Sequence, residues 1–280
     1  MCGCLYICAT PIGNMEDITL RCIRTLKEVD IIAAEDTRQT AKLLNRYEIS
    51  KPMISYHEHN KIIKGQEIIK LLLEGNNIAL VSDAGMPCIS DPGEDLVRLC
   101  IEKAVEIIPI PGASASLTAL SISGLSTRRF TFEGFLPTKG KVRRERLEKL
   151  AQEENTIILY EAPHRLISTL KDLEEYLGNR YISISRELTK KFEETVRTDI
   201  KGVIDEFESR SIKGEFVLII EGKVYEKKSH GEDNEWEAMT VEEHIKMLIK
   251  RGLSKKEAIT EVAKARDLPK KEVYKIAIEI

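Results

Sequence analysis

Short apolar runs of strand length alternate, through the first two thirds of the chain, with longer segments whose apolar residues recur every three or four positions. The two periodicities separate strands from helices. Runs at 5–9, 31–34, 53–55, 78–82 and 106–110 predict strands, and the stretches 19–29, 37–47, 60–75, 91–103 and 113–123 between and after them predict amphipathic helices. Strands that are apolar almost throughout suit a parallel sheet covered by helices on both faces. This first unit is expected to end near residue 124.

Beyond the segment 128–137 and a basic helix at 139–149, a second group of strands is expected at 156–160, 181–186, 193–197 and 216–221. Only the turn around Thr189-Lys190-Lys191 separates the middle two, so they predict an antiparallel hairpin and a mixed sheet. The stretch 222–239 is polar and acidic, contains Gly231 and the single tryptophan, Trp236, and reads as a linker. Helices then start at Thr240, Ser254 and Pro269, residues suited to cap or open a first turn. The expected architecture is two α/β domains, 1–124 and 125–222, a linker at 223–239 and a helical appendage at 240–280.

Composition narrows the function classes. The 280 residues are 42% hydrophobic and 32% charged, with a net charge of −3. Such a chain can bury substantial cores and is neither disordered nor a uniformly basic nucleic-acid binder. No apolar run approaches the ~18 residues of a membrane span, and the start lacks the charged and apolar regions of a secretory signal, so a cytoplasmic protein is expected. The cysteines at 2, 4, 8, 22, 88 and 100 form no CxxC pair and are expected to be reduced and mostly buried, with no metal site.

The candidate chemistry lies in loops that follow strands. Thr10-Pro11-Ile12-Gly13-Asn14 comes after the first strand, where an open α/β sheet forms its ligand crevice. Ser82-Asp83-Ala84-Gly85-Met86-Pro87-Cys88-Ile89-Ser90-Asp91-Pro92-Gly93 follows the fourth, with more glycine, proline and aspartate than a turn requires. Asp83 is placed to contact a ligand, whereas Asp91 is placed to cap the next helix. After the fifth strand, Pro111-Gly112-Ala113-Ser114-Ala115 leaves helix-terminal N–H groups accessible. There is no Walker sequence and no GxGxxG, which argues against phosphate-driven nucleotide chemistry. Further along, Tyr160-Glu161-Ala162-Pro163-His164-Arg165 follows a strand, and Ser185-Arg186-Glu187-Leu188-Thr189-Lys190-Lys191 occupies the hairpin. Such charged clusters belong either to a site or to a structural pair between Glu161 and Arg165.

Taken in order, TPIGN, Ala34-Glu35-Asp36-Thr37-Arg38, SDAGMPCISDPG, PGASA, YEAPHR and RELTKK resemble the tetrapyrrole-methylase-like superfamily. Within it the set resembles the branch that methylates ribose in small-subunit ribosomal RNA. Where tetrapyrrole methylases have Gly-Asp-Pro in the second loop, this chain has Ser82-Asp83-Ala84-Gly85, which favours the RNA-modifying branch. The resemblance implies a class III methyltransferase fold with S-adenosyl-L-methionine held in a cleft between two α/β domains, a homodimer, and transfer of methyl to a cytidine 2′-oxygen. It places Pro11, Asp83, Gly85, Met86, Pro87, Ser114, Ala115 and Glu161 at the cofactor. A ribose hydroxyl needs a base or an adjacent cation, and Glu161, His164, Arg186 and Glu187 are the catalytic candidates. Asp36 either joins this site or caps its helix.

RNA affinity depends on local positive charge. Residues 139–149 hold six basic and two acidic side chains, net +4, and residues 246–275 hold ten and four, net +6. Lys139, Lys141, Arg143, Arg144, Arg165, Lys190 and Lys191 are the expected contacts to ribosomal RNA or the assembled small subunit. Two other readings are C-methylation of a tetrapyrrole, which calls for a roomier apolar cleft, and a metabolite-sensing regulator whose terminal helices bind nucleic acid.

Overall fold

The computed structural model describes residues 2–223 and 239–278. Except for its two end residues, the expected linker, Trp236 included, lies outside the described residues. The chain forms two compact units, Met1–Val224 and Tyr225–Ile280.

In the larger unit the first sheet contains β1 (Cys4–Cys8), β2 (Ile31–Ala34), β3 (Met53–Ser55), β4 (Ile78–Val81) and β5 (Glu106–Ile110), in the spatial order β3-β2-β4-β1-β5. Every pairing is parallel. The helices α1 (Leu20–Glu28), α2 (Thr37–Arg46), α3 (Lys61–Leu73), α4 (Gly93–Glu102) and α5 (Ala115–Ile122) follow the strands in turn. Two apolar clusters form, one with Leu26, Leu43 and Leu44, the other with Ile68, Leu72 and Leu96. This explains why β4 is buried at all of its positions. The boundaries differ from the sequence expectation by at most two residues at each end.

The second sheet contains β6 (Phe130–Phe135), β7 (Thr156–Glu161), β8 (Tyr181–Arg186), β9 (Glu194–Asp199) and β10 (Phe216–Ile220), in the order β6-β7-β10-β8-β9. It is mixed: β6 and β7 are parallel and the other neighbours antiparallel, the β8/β9 hairpin among them. Three elements had no counterpart in the sequence reading. The strand β6 is interrupted by a bulge between Phe132 and Gly134, and Gly134 has φ +69°. A bulge at glycine hides the alternation that announces a strand. Besides α6 (Gly140–Ala151), the two helices α7 (Leu166–Leu177) and α8 (Ile200–Glu208) cover this sheet. Leu166, Leu170, Leu173 and Leu177 carry the helical spacing of α7, so this omission was of a readable pattern.

The smaller unit consists of α9 (Val241–Lys250), α10 (Lys255–Ala265) and α11 (Lys270–Ala277) around Ile245, Ile259, Val262 and Val273. Thr240 with Glu243, and Ser254 with Glu257, form capping boxes, and Pro269 precedes α11. The cysteines are all unpaired, and half of them (Cys8, Cys22 and Cys100) are buried.

Candidate active site

Because β4, β1 and β5 are neighbours in the sheet, the three loops at their carboxyl ends lie side by side. The loops after β1 and β4 are joined directly. Thr10 N–H donates to the carbonyl of Gly85 at 2.9 Å, Gly85 N–H returns a bond to Thr10 at 3.2 Å, and the Thr10 hydroxyl donates to the carbonyl of Ser82. Gly85 sits at φ +82°, where a β-carbon would come within 3.2 Å of Ile12 Cγ2. Cys88 and Ser90 also take positive φ without being glycine, a strained conformation typical of ligand-holding loops. Asp91 stabilises it, its Oδ1 accepting from the backbone of Cys88 and Gly93. Asp36 caps α2, accepting from Arg38 N–H, and its own N–H donates to Asp83 Oδ1 at 2.9 Å.

The second sheet presents one edge to these loops. Glu161 and Arg186 flank Phe216 across it, and the loops after β7 and β8 extend from there. Contact with the first sheet is close. Asn14 N–H donates to Thr189 Oγ1, and a β-carbon at Gly13 would strike Lys190 and Thr189.

Between the two edges lies a cavity of about 590 Å³, within the ~300–1,000 Å³ range of small-molecule sites. Of the expected residues, Asp83, Gly85, Met86, Ser114, Ala115, Glu161, His164, Glu187 and Lys190 line it. Pro11 instead lines an adjoining chamber of about 310 Å³. Pro87 is buried and lines neither cavity. The sequence reading missed Glu35 as a site residue, together with an apolar and aromatic wall that includes Phe135 and Tyr160. Glu35 and Tyr160 stood inside recognised motifs and could have been found; Phe135 lies on the unrecognised strand β6.

The electrostatics of the two sides differ. Burial, with Asp83 and Asp91 nearby, raises the Glu35 carboxyl above the ordinary carboxylate range. Asp83 is exposed toward the crevice yet hemmed by its walls, and that desolvation, with the Asp36 charge, raises it despite the backbone bond it accepts. For Glu187, burial acts upward, but the Glu215 N–H, Lys190 and Arg186 outweigh it and lower the carboxyl. Lys190 is partly desolvated, which opposes its charge, but Nζ lies 3.0 Å from both Glu187 and Glu215, and the net effect raises it.

Several expected roles are corrected. Glu161 is only 2% exposed. Its Oε1 accepts from Ala162 N–H and lies 3.2 Å from Arg165 Nε, and its Oε2 accepts from the Thr169 hydroxyl at 2.6 Å. With its lone pairs so engaged it is a poor general base. Arg165 spends its guanidinium on Glu161 and the carbonyl of Leu136, not on phosphate. Arg143, expected on the RNA face, is 9% exposed and bonded to Asp172, Thr169 and the carbonyl of Pro137. Arg186 stands outside the cavity, paired with Glu194 at 3.1 Å. Lys139 immediately before α6, Lys141 and Arg144 on it, and Lys191 in the hairpin loop remain exposed.

Residues 4–204 match the family described as tetrapyrrole (corrin/porphyrin) methylases. Over 274 residues, 98% of this chain and 94% of its relative, the sequence is 52% identical to the ribosomal RNA small subunit methyltransferase I of Halalkalibacterium halodurans. The protein of that name in Bacillus subtilis is 50% identical over 97% of this chain and 93% of its own. Among solved structures, a cobalt precorrin-4 methyltransferase superposes with a TM-score of 0.60 at 17% identity, covering 78% of this chain and 94% of that one. A Thermus thermophilus uroporphyrin-III C-methyltransferase complexed with S-adenosylhomocysteine gives 0.57 at 17% identity, covering 78% and 97%. At such identity these two establish the shared fold, a class III methyltransferase architecture. The match over most of the chain and the identity to its full-length relatives place it in the tetrapyrrole (corrin/porphyrin) methylase family, in the group of ribosomal RNA small subunit methyltransferase I proteins.

Proposed function

We propose that this protein transfers a methyl group from S-adenosylmethionine to the ribose 2′-oxygen of a cytidine in small-subunit ribosomal RNA. The observation that carries this is a single cavity walled on one side by small-residue loops with raised carboxylates and on the other by a protonated lysine. Its lining fits the cofactor: Asp83 and Glu35 complement a cationic ligand, Tyr160 and Phe135 offer aromatic faces to it, and the start of α5 at Ser114 and Ala115 offers backbone N–H groups. When bound, S-adenosylmethionine supplies an already electrophilic methyl carbon.

Holding the hydroxyl in line with that carbon then provides much of the acceleration. Lys190, kept charged by Glu187 and Glu215, is positioned to stabilise the oxyanion that develops as the proton leaves. Glu187, with its lowered carboxyl, anchors Lys190. His164 lines the cavity with its ring free of hydrogen bonds among the described residues, and we assign it as the proton acceptor.

Lys139, Lys141, Arg144 and Lys191, and separately the basic helices of the smaller unit, are the proposed phosphate contacts. The family resemblance further supports a cytoplasmic homodimer whose protomer divides near residue 124 into two domains. Light scattering should return twice the chain mass, and a fully active monomer would contradict it. No helix among the described residues is long and apolar enough to cross a membrane. The deciding experiment is tritiated methyl transfer to small subunits from cells lacking the activity, followed by nucleoside mapping. Label in 2′-O-methylcytidine is the expected result; label in a base, or only in a porphyrin precursor offered in parallel, would overturn the proposal.

A further inference from the structure

The chamber of about 310 Å³ beside the main cavity shares Ser82, Asp83, Ala84 and Lys190 with it. We infer that it receives the acceptor nucleotide, extruded from its RNA strand, with Gln39 and Lys42 of α2 recognising it; this rests on the ribosomal RNA reading. Its volume is near the lower limit for a ligand site and suits one nucleotide, not a folded strand. A base presented to a buried methyl donor must leave its stack, and such sites combine an apolar face with groups that read the base edge.

The lining supplies both. Pro11, Met15 and Leu43 provide a face against which a ring can lie. Gln39 and Lys42 are one helical turn apart and exposed, and Lys42 Nζ donates to Gln39 Oε1 at 2.9 Å. That bond occupies the amide oxygen and leaves the amide NH₂ to donate outward, toward ring acceptors such as a pyrimidine O2 or N3. The ammonium of Lys42 retains donors for an adjacent phosphate. A ribose between them would meet the main cavity where Asp83 and Lys190 form the shared wall. Lys190 is balanced by Glu215 in the same wall, so Lys42 is the cation the chamber offers to a phosphate, beside the Gln39 amide donor.

The test uses the full-length protein saturated with S-adenosylhomocysteine and titrated with the dinucleotide CpC, followed by calorimetry. Wild type should bind. Lys42→Glu and Gln39→Trp, the second of which fills the chamber, should each bind CpC about tenfold more weakly or worse, the scale of one charge-assisted contact. Their affinity for S-adenosylhomocysteine and their melting temperatures should be unchanged. Equal CpC affinity in wild type and both variants, or no CpC binding at all, overturns the inference, as does a loss of S-adenosylhomocysteine binding, which would assign the chamber to the cofactor. Methyl transfer by wild type to small subunits is measured separately. Failure there counts against the ribosomal RNA reading, while the CpC titration still decides whether the chamber holds a nucleotide.

Discussion

The two sheets build their halves of the site from different materials. The first contributes mostly backbone: Gly85 at positive φ, the Thr10–Gly85 bridge and the open start of α5, with few side chains beyond Glu35 and Asp83. The second contributes side chains held by other side chains, in the chain of contacts Arg165–Glu161–Thr169–Arg143–Asp172. In a backbone site a substitution alters ligand contacts with little effect on the fold, whereas in a buried network each member also supports its neighbours. The comparison predicts where mutations will cost stability and where they will cost binding.

Glu161→Ala is the most severe test. It leaves the partly buried Arg165 charge and the Thr169 hydroxyl without their acceptor, and breaking a buried pair from one side costs about 3 kcal/mol or more. Chemical denaturation should register that loss, with Glu161→Gln, which keeps one acceptor oxygen, falling between. A wild-type midpoint in the alanine variant would show that the network does not hold the second half together.

On the other side, Asp83→Ala should leave stability within ~0.5 kcal/mol while weakening S-adenosylmethionine about tenfold to a hundredfold, the effect of losing a charge-assisted contact. Calorimetry reads the second value, and unchanged binding would remove Asp83 from the site. The same carboxylates set a pH dependence. Glu35 and Asp83 are both raised in the folded protein, so the anionic forms that favour a cationic ligand are lost, as pH falls, sooner than ordinary carboxylates would be. Cofactor affinity should therefore decline from above the usual carboxylate range, and Glu35→Gln should flatten the profile. For folding the sign is opposite: a raised carboxyl binds its proton more tightly in the native state, so its contribution to stability diminishes as pH rises through that window.

Gly85→Ala should cost about 1 kcal/mol, since the left-handed backbone disfavours a β-carbon and Ile12 must move slightly to admit it. Thermal melts measure this, and weakened cofactor binding should accompany it because the loop shape is itself the ligand contact.

These contrasts also explain what could be read in advance. Strands of the first sheet are apolar at nearly every position, and its loops announce themselves by glycine and proline within a few residues, so both the elements and Asp83, Gly85 and Ser114 were legible. The side-chain partners of Arg143 are Asp172 and Thr169, more than twenty-five positions away, so the sequence around it announces neither. Periodicity along α6 does contain a hint: Arg143, Leu147 and Leu150 share the buried face. A cation that is buried on such a stripe must be paired or hydrogen-bonded, as Arg143 is. Likewise, β6 was missed because its bulge breaks the two-residue repeat, and with it went Phe135 on the aromatic side of the cavity.

The smallest expected effects separate Arg144 from Arg143 on α6. Lys139 and Arg144 are exposed, so reversing both to Glu should leave the melting temperature nearly unchanged and raise the Michaelis constant for small subunits several-fold, because like charges would face the RNA backbone. Their removal also eliminates counterion release at two contacts, and the fall of activity with salt should become shallower by roughly that count. Cofactor affinity should not move, since charges on that helix act over a Debye length of ~8 Å at physiological salt and the cavity is lined by other elements. Arg143→Glu must behave differently: placed against Asp172 it puts two carboxylates where an ion pair stood, and its first consequence is loss of stability. If Arg143→Glu folded normally and altered only the salt slope, its observed pairing would be dispensable and the helix would face RNA with that side as well. If Lys139 and Arg144 could be reversed without changing either the Michaelis constant or the slope, α6 would serve as scaffold alone, and the phosphate contacts would have to come from the hairpin loop or the terminal helices.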